Sequence, residues 1–157
     1  MIKALVGYYS RTGNTEKMAQ IISQSLKKTG IEVDLKEITQ ISADMLVDYE
    51  ILILGSPTYY GSMAYQVKKL LDESVKHHRK LEGKIGGAFS SAANIAGGNE
   101  TTILDIINAF LIHGMIVQGD SNGDHYGPVS IGAPDARAKA ECEKFGKRIG
   151  LLAKKIF

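Results

Sequence analysis

The chain has 157 residues, 44% hydrophobic and 23% charged, which is the balance of an ordinary globular protein. Its net charge of +2 is too small to indicate nucleic-acid binding. A single cysteine, Cys142, excludes an internal disulfide and a metal site built from several cysteines. No apolar run approaches the ~18 residues of a membrane span, and the apolar part after Lys3 is too short for a signal peptide. We therefore expect one domain over residues 1–157, in the cytoplasm and without membrane insertion.

Apolar and alternating segments predict five β-strands, at residues 2–8, 31–35, 51–54, 84–90 and 115–118. Helical spacing of apolar residues predicts a helix after each of the first, third and fourth strands, and a last helix from about Pro134 to the carboxyl end. The double glycine Gly86-Gly87 in the fourth strand predicts close approach by a neighbouring helix. Cys142 shares an apolar stripe with Phe145 and Ile149, so buried packing is expected for it rather than a role as a nucleophile.

This alternation of strands and helices predicts an α/β fold, a three-layer α/β/α sandwich around a five-stranded parallel sheet. Right-handed crossovers make 2-1-3-4-5 the economical strand order. Ligands of such sheets bind beyond the carboxyl ends of the strands, where the winding reverses. The loops after strands one, three and four should therefore converge on one site.

The loop after the first strand has the character of a phosphate site. Residues 10–15 combine hydroxyl groups on Ser10, Thr12 and Thr15 with the flexible Gly13, directly before a helix. The first N–H groups of a helix lack internal partners and carry partial positive charge, so they stabilise an anion there without a lysine. Taken alone, the hexapeptide is equally compatible with an ordinary polar turn capped by Thr15.

The other two loops suit a flat, hydrogen-bonding head group. The loop from Gly55 to Met63 contains the adjacent aromatics Tyr59 and Tyr60, and residues 90–100 are rich in glycine and small side chains. A surface loop with incidental aromatics is the competing interpretation of the tyrosines. His77 and His78 lie in a charged run and are expected to be solvated.

The helix around residues 103–111 is apolar over more of its circumference than one sheet face needs. A subunit interface, in a homodimer or a homotetramer, is one explanation. At the end of this helix, His113 is either a residue satisfied by the last carbonyls or a functional group, and the sequence favours neither.

Three matching loops in the right order resemble the flavodoxin-like superfamily. Residues 10–15 are similar to the loop that holds the FMN phosphate in flavodoxins. Residues 55–61, 89–100 and 111–115 resemble the tryptophan-repressor-binding-protein type of NAD(P)H:quinone oxidoreductase. The similarity extends over nearly the whole chain.

The resemblance implies an FMN site in which the first loop holds the phosphate, the tyrosine loop borders the isoalloxazine and the glycine-rich loop wraps its pyrimidine side. The implied cofactor-binding residues are Ser10, Arg11, Thr12, Gly13, Asn14, Thr15, Pro57, Thr58, Tyr59, Tyr60, Gly61, Ser91, Ala92, Ala93, Asn94, Gly97 and Gly98. It also implies that His113 reaches toward flavin, often at a subunit contact in such relatives. His113 and Tyr126 are the candidate catalytic residues, as donors of a proton or hydrogen bond, and no metal is expected.

Two departures weaken the quinone-reductase resemblance. The quinone reductases carry a tryptophan at the substrate site, whereas this chain has none, and its corresponding stretch, residues 74–84, is short and highly charged. This puts the quinone pocket and the tetramer that completes it in doubt. The glycine-rich loop also contains one extra residue near Asn94 and Ile95.

The leading hypothesis is an FMN-dependent enzyme that takes hydride from NAD(P)H and passes electrons to a quinone-like or other small acceptor. The alternative is a flavodoxin-type carrier that delivers electrons to a redox partner protein. Such carriers are generally acidic, whereas this chain has a pI near 8.6. A phosphoacceptor module would need acidic residues where Tyr8, Tyr9, Gly55 and Ser56 stand, and a hydrolase would need a G-x-S-x-G motif that is absent.

Overall fold

The computed structural model describes residues 1–157, with seven β-strands and four α-helices. The strands are β1 (Lys3–Tyr8), β2 (Glu32–Glu37), β3 (Ile51–Tyr59), β4 (Ser62–Met63), β5 (Ile85–Ala92), β6 (Ile116–Val117) and β7 (Val129–Ile131). The helices are α1 (Asn14–Lys27), α2 (Tyr65–Glu73), α3 (Asn99–Ile112) and α4 (Ala136–Ile156). Short 3₁₀ segments occupy Ile38–Gln40, Ala43–Asp48 and Ser74–His77. None of the helices combines the length and apolarity that a membrane span requires.

The main strands form one parallel sheet in the order β2-β1-β3-β5-β6. Counted as five strands, this is the 2-1-3-4-5 order that the sequence predicts. The winding reverses between β1 and β3, which pair side by side from Ala4↔Ile51 to Tyr8↔Gly55. All loops that follow these strands therefore leave the sheet at the same edge, which we call the carboxyl edge.

The fifth strand differs from the prediction because it is divided into two parts. β6 pairs with the start of β5, while β7 pairs with its end through Ser90↔Val129 and Ala92↔Ile131. Residues 118–128 form a loop between the two parts. The sequence does not predict β7, because its three residues follow a glycine-rich loop and are too few to display an alternating pattern. The third strand is also longer than predicted, since β3 continues through Pro57 to Tyr59.

Two apolar layers hold the helices to the sheet. On one face, α1 and α4 contribute Met18, Ile22 and Phe145 to a cluster with Val6 and Ile53. On the other face α2 and α3 pack over Leu5, Leu52 and Ala88. Cys142 is fully buried in the cluster between the sheet and the helices α1 and α4, and burial raises the pKa of its thiol to about 12. The packing role predicted for Cys142 is therefore confirmed.

The paired glycines of β5 allow close approach by helices on both sides of the sheet, which confirms the prediction made for them. A Cβ atom at Gly86 would lie 2.7 Å from the ring of Phe110, which belongs to α3. A Cβ atom at Gly87 would lie 2.7 Å from the ring of Phe145, which belongs to α4. Each phenylalanine is almost wholly buried. Its ring packs against the backbone of the glycine, in the space that a side chain would otherwise fill.

Gly87→Ala should lower the free energy of unfolding by about 1–3 kcal/mol, because the new methyl group overlaps the Phe145 ring. Urea unfolding of the apoprotein measures this loss. Adding Phe145→Leu to the same chain should recover part of the lost stability, since the smaller side chain leaves room for the new methyl group. If the double variant lost as much stability as the Gly87→Ala and Phe145→Leu variants together, overlap between the new methyl group and the Phe145 ring would not be the cause.

Candidate functional site

The three predicted loops meet at the carboxyl edge of the sheet around a cleft of about 370 Å³. The cleft lies between the start of α1, the end of β3 and the end of β5, with the end of β7 closing one side. Its lining residues are Ser10, Arg11, Thr12, Asn14, Thr15, Pro57, Thr58, Tyr59, Ser91, Ala92, Ala93 and Gly132. Arg11 is the only ionised side chain among them.

The start of α1 is open to an anion. Gly13 occupies the N-cap position in the left-handed region (φ 90°), and no side chain caps the helix. The hydroxyl oxygen of Ser10 accepts a hydrogen bond from the Gly13 N–H at 3.0 Å, outside the helix proper. By contrast, Asp135 caps α4 through the Ala138 N–H at 2.8 Å. The first-turn N–H groups of α1 therefore still need an acceptor, and a phosphate group fits that requirement.

A buried hydrogen bond joins the phosphate-type loop to the loop after β5. The hydroxyl oxygens of Thr15 and Ser91 lie 2.9 Å apart, and both side chains are almost fully buried. The two residues come from positions 76 apart in the chain. This contact fixes the distance between the two walls of the cleft before any ligand arrives.

The tyrosine loop is a tight β-hairpin between β3 and β4. Tyr59 pairs with Ser62, so Tyr60 and Gly61 form a two-residue turn in which both have positive φ, 51° and 78°. This is the signature of a type I′ turn, which normally selects asparagine and glycine. Tyr60 is fully exposed at the tip, where no packing contact offsets its left-handed conformation. A ring held there at a conformational cost is available to contact a ligand.

Tyr59 lines the cleft and is held in place more firmly than Tyr60. Its ring meets the ring of Tyr9 edge to face, with centroids 6.4 Å apart. Burial, and then the neighbouring Tyr9, raise the pKa of Tyr59, so its hydroxyl stays protonated and able to donate a hydrogen bond.

Hydroxyl groups on α3 form hydrogen bonds that hold the hairpin between β3 and β4 in place. The Thr101 hydroxyl donates to the Gly61 carbonyl at 2.5 Å. The Thr102 hydroxyl donates to the Gly98 carbonyl at 2.8 Å, so it accepts from the Thr58 hydroxyl at 3.1 Å. Gly98 permits this approach, since a Cβ atom there would lie 2.6 Å from the Cα atom of Gly61. The hairpin is therefore positioned by the helix that the glycine-rich loop introduces.

Most of the predicted cofactor residues come together in this cleft, but some do not line it. Eleven line it directly, and Gly13 stands at the start of α1 beside it. The predicted residues outside its walls are Tyr60, Gly61, Asn94, Gly97 and Gly98. Sequence reasoning missed Gly132, which follows β7. The signal for it is the pair Val129 and Ile131 before a glycine, at the end of the short strand that the sequence pattern does not predict.

Comparison with known proteins gives the family. A family model described as "Flavodoxin domain" matches residues 5–110, more than half of the chain. The chain belongs to the flavodoxin domain family. It is 36% identical to a flavodoxin of Clostridium saccharobutylicum, over 99% of this chain and 100% of that protein. It is also 30% identical to an NAD(P)H dehydrogenase (quinone) of Archaeoglobus fulgidus, again over 99% and 100%.

The fold has a counterpart in a WrbA-like flavodoxin from Agrobacterium tumefaciens, with a TM-score of 0.85 and full coverage of both chains at 22% identity. The resemblance to flavodoxins and to the quinone-reductase type is confirmed by these matches. Membership of the family implies a flavin, and the donors of the cleft fit FMN: uncapped helix N–H groups for its phosphate and a tyrosine wall for its ring.

His113 does not lie in this cleft. It follows the last residue of α3, about 16 Å along the helix axis from Thr102. The Ser74 hydroxyl donates to the Leu71 carbonyl at 2.6 Å, so at 2.7 Å it accepts from the Nε2–H of His113. The Nδ1 atom is buried without a partner. Within one chain, the predicted contact between His113 and flavin is therefore not formed, because α3 carries the residue to the opposite end of the sheet.

Tyr126 also lies away from the cleft walls. It stands half-exposed in the loop between β6 and β7, next to Gly127, whose backbone passes against the Ala88 carbonyl. The division of the fifth strand places this loop beside the middle of β5 and not at its end. Neither His113 nor Tyr126 lines the cleft, and their roles at the flavin stay predictions.

Tyr60→Asn should separate the structural and binding roles of the hairpin tip. Asparagine tolerates positive φ better than tyrosine, so the free energy of unfolding of the apoprotein should rise by up to about 1 kcal/mol. The affinity for FMN, measured by fluorescence titration, should fall because the exposed ring is lost. Tyr65→Asn, on an exposed helical position outside the cleft, is the control and should not weaken FMN binding.

His113 should make the stability of the protein depend on pH. Burial lowers the pKa of His113 below its ordinary 6.5, and the nearby His78 and His77 lower it further. Since the unfolded chain then binds the proton more readily, the stability that neutral His113 contributes is complete above pH 6.5 and is lost as the pH falls toward its folded pKa. The carboxyls of Asp44 and Asp120 have pKa values lowered from 3.8, so they do not titrate in this window.

Urea unfolding between pH 7.5 and 5 measures this effect, with a slope of at most about 1.4 kcal/mol per pH unit from one proton. His113→Gln, which can still donate to Ser74, should flatten the slope. Leu111→Gln, at an exposed and non-titratable position of the same helix, is the control and should leave it unchanged. An unchanged slope in His113→Gln would show that another group is responsible.

Proposed function

We propose that this protein is an FMN-dependent oxidoreductase that passes electrons from NAD(P)H to a quinone-like or other small acceptor. Residues 1–157 would act as one FMN-binding domain. The observation that carries the proposal is the convergence of three loops on one cleft whose helix start lacks a cap. Relatives named NAD(P)H dehydrogenase (quinone) support the enzyme.

The assigned residues act by binding and orientation. The N–H groups at the start of α1, with Ser10 and Thr12, would hold the phosphate, and Arg11 would add a charge at the rim. Thr58 and Tyr59 would border the ring, and the backbone of residues 91–93 would hydrogen-bond its edge. The flavin, when bound, supplies the hydride and electron chemistry. The protein contributes position and a wall of neutral groups.

Two observations bear on the choice between enzyme and carrier. Arg11 is the only ionised residue in the cleft lining, and Glu16 and Glu100 stand in the first turns of the two helices that begin beside it. The charge around the cleft is therefore mixed, unlike the uniformly acidic surface by which carriers attract basic partners. The Arg11 guanidinium suits the phosphates of NAD(P)H. On the other side, the relative from C. saccharobutylicum is named a flavodoxin and matches along the whole chain. An electron carrier that serves a redox partner protein is therefore the second candidate.

Anaerobic absorption spectroscopy tests the proposal. The purified protein should bind FMN and become yellow, and addition of NADPH should bleach it. Repeated oxidation of NADPH in the presence of a quinone supports the enzyme. Flavin that is bound but is not reduced by NADH or NADPH supports the carrier. Protein that stays colourless when mixed with FMN contradicts both.

Ser10→Asp tests the phosphate site itself. A carboxylate at this position should repel the phosphate and lower the affinity for FMN by at least about a hundredfold. The same carboxylate should interact favourably with the start of α1 and raise the stability of the apoprotein by about 0.5 kcal/mol. Ser10→Asn, of similar shape but neutral, is the matched control and should retain most of the affinity. Equal losses in the two variants would argue against an anion at this place.

A further inference from the structure

Five lysines cluster where α1 and α4 end. They are Lys27, Lys28, Lys147, Lys154 and Lys155, all exposed, and none takes part in an ion pair. Exposed apolar side chains accompany them: Leu151 lies on the same side of α4, four residues from both Lys147 and Lys155, and Ile156 and Phe157 follow at the end of the helix. These three side chains are 48%, 40% and 52% exposed. We call these eight residues the lysine face.

Close packing of the two helices brings the lysines together. A Cβ atom at Gly146 would lie 2.7 Å from the Ile22 carbonyl oxygen, and one at Gly150 would lie 2.2 Å from Thr29 Oγ1. Lys154 Nζ comes within 3.7 Å of the position of a Cβ atom at Gly30, just beyond α1. Both helices begin at the carboxyl edge and end about 20 Å or more away. The lysine face therefore lies at the opposite end of the molecule from the cleft.

Few carboxylates on α4 oppose this charge apart from Glu143, which stands four residues before Lys147. Between Lys144 and Phe157, α4 carries no aspartate or glutamate. Asp120 faces the middle of α4, but Lys144 and Arg148 already contact its carboxylate at 2.8 and 2.6 Å. A shallow groove of about 330 Å³ passes between this network and Leu151. Lysines in a last helical turn normally offset the helix dipole, yet Lys147 stands outside that turn, and the dipole does not account for the exposed apolar residues.

We propose that the lysine face binds the surface of a bilayer rich in anionic lipid. The ammonium groups attract phosphate head groups, while the three apolar side chains enter the boundary between head groups and acyl chains. Two of these apolar residues are aliphatic, and single-stranded nucleic acid is bound by several stacked aromatic rings, so lipid fits the face better. This orientation leaves the cleft open to solution. The proposal does not depend on flavin, because the face is complete in the apoprotein.

Vesicle flotation of the whole protein tests this inference. The protein should float with vesicles of equal parts phosphatidylglycerol and phosphatidylcholine, and should not float with phosphatidylcholine alone. High salt should release it. The triple variant Lys147→Gln, Lys154→Gln, Lys155→Gln should lower the vesicle partition coefficient on the order of a hundredfold. Leu151→Gln should weaken binding at unchanged charge.

The matched control is the triple variant Lys36→Gln, Lys80→Gln, Lys139→Gln, which removes the same charge from unpaired lysines elsewhere. It should bind vesicles as the parent protein does. Circular dichroism and urea unfolding establish that both triple variants fold. Equal loss in the two variants, absence of vesicle binding, or transfer of the protein from vesicles to added RNA at equal phosphate concentration would each overturn the proposal. Failure to bind FMN would bear on the proposed function alone.

Discussion

The structure depends on one unsatisfied requirement, the uncapped start of α1. A helix presents four N–H groups that its own backbone cannot bond, and a side chain at the N-cap position can accept a hydrogen bond from one of them. Only α4 has such a cap, from Asp135, whereas α1, α2 and α3 have no capping side chain. Of these three helices, α1 is the one whose first turn lines the cleft. The helix is therefore least satisfied at the point where the sheet's winding reverses. A ligand phosphate at this place would complete the helix and occupy the binding site at once.

The rest of the fold holds the other walls at a fixed distance from that point. One phenylalanine from each helical layer packs against Gly86 or Gly87, and these contacts set the spacing between β5 and the helices on both faces. The Thr15–Ser91 hydrogen bond then fixes β5 to α1 across the cleft, and Thr101 fixes the tyrosine hairpin to α3. Packing in the middle of the sheet is thereby transmitted to three loops at its edge. Most of the cost of ordering the site is met by folding, so a ligand does not have to meet it.

The central strands, the helix positions and the first wall of the cleft followed from the sequence, because each depends on local pattern. Apolar runs such as Ile51–Leu54 mark buried parallel strands, and the hydroxyl-rich turn around Gly13 predicts the wall of the cleft that the start of α1 forms. Contacts between distant segments escaped prediction. β7 is only three residues long and is stabilised by pairing with the end of β5, which no local pattern reports, so Gly132 was missed with it. The position of His113 depends on the length and direction of α3, and similarity to a motif does not reveal which end of the sheet a residue reaches.

The two ends of α1 show how a weakly basic chain distributes its charge. At the first end the positive potential comes from backbone N–H groups and Arg11, and it is confined to the cleft. At the other end the helix dipole is negative, yet the lysines at the ends of α1 and α4 reverse its sign over a broad and open face. A cleft selects a small anion by shape, whereas an open face responds to charge density over a surface. The small net charge of +2 therefore does not show that positive charge is concentrated in two regions. One region is suited to a bound phosphate and the other to an extended anionic layer.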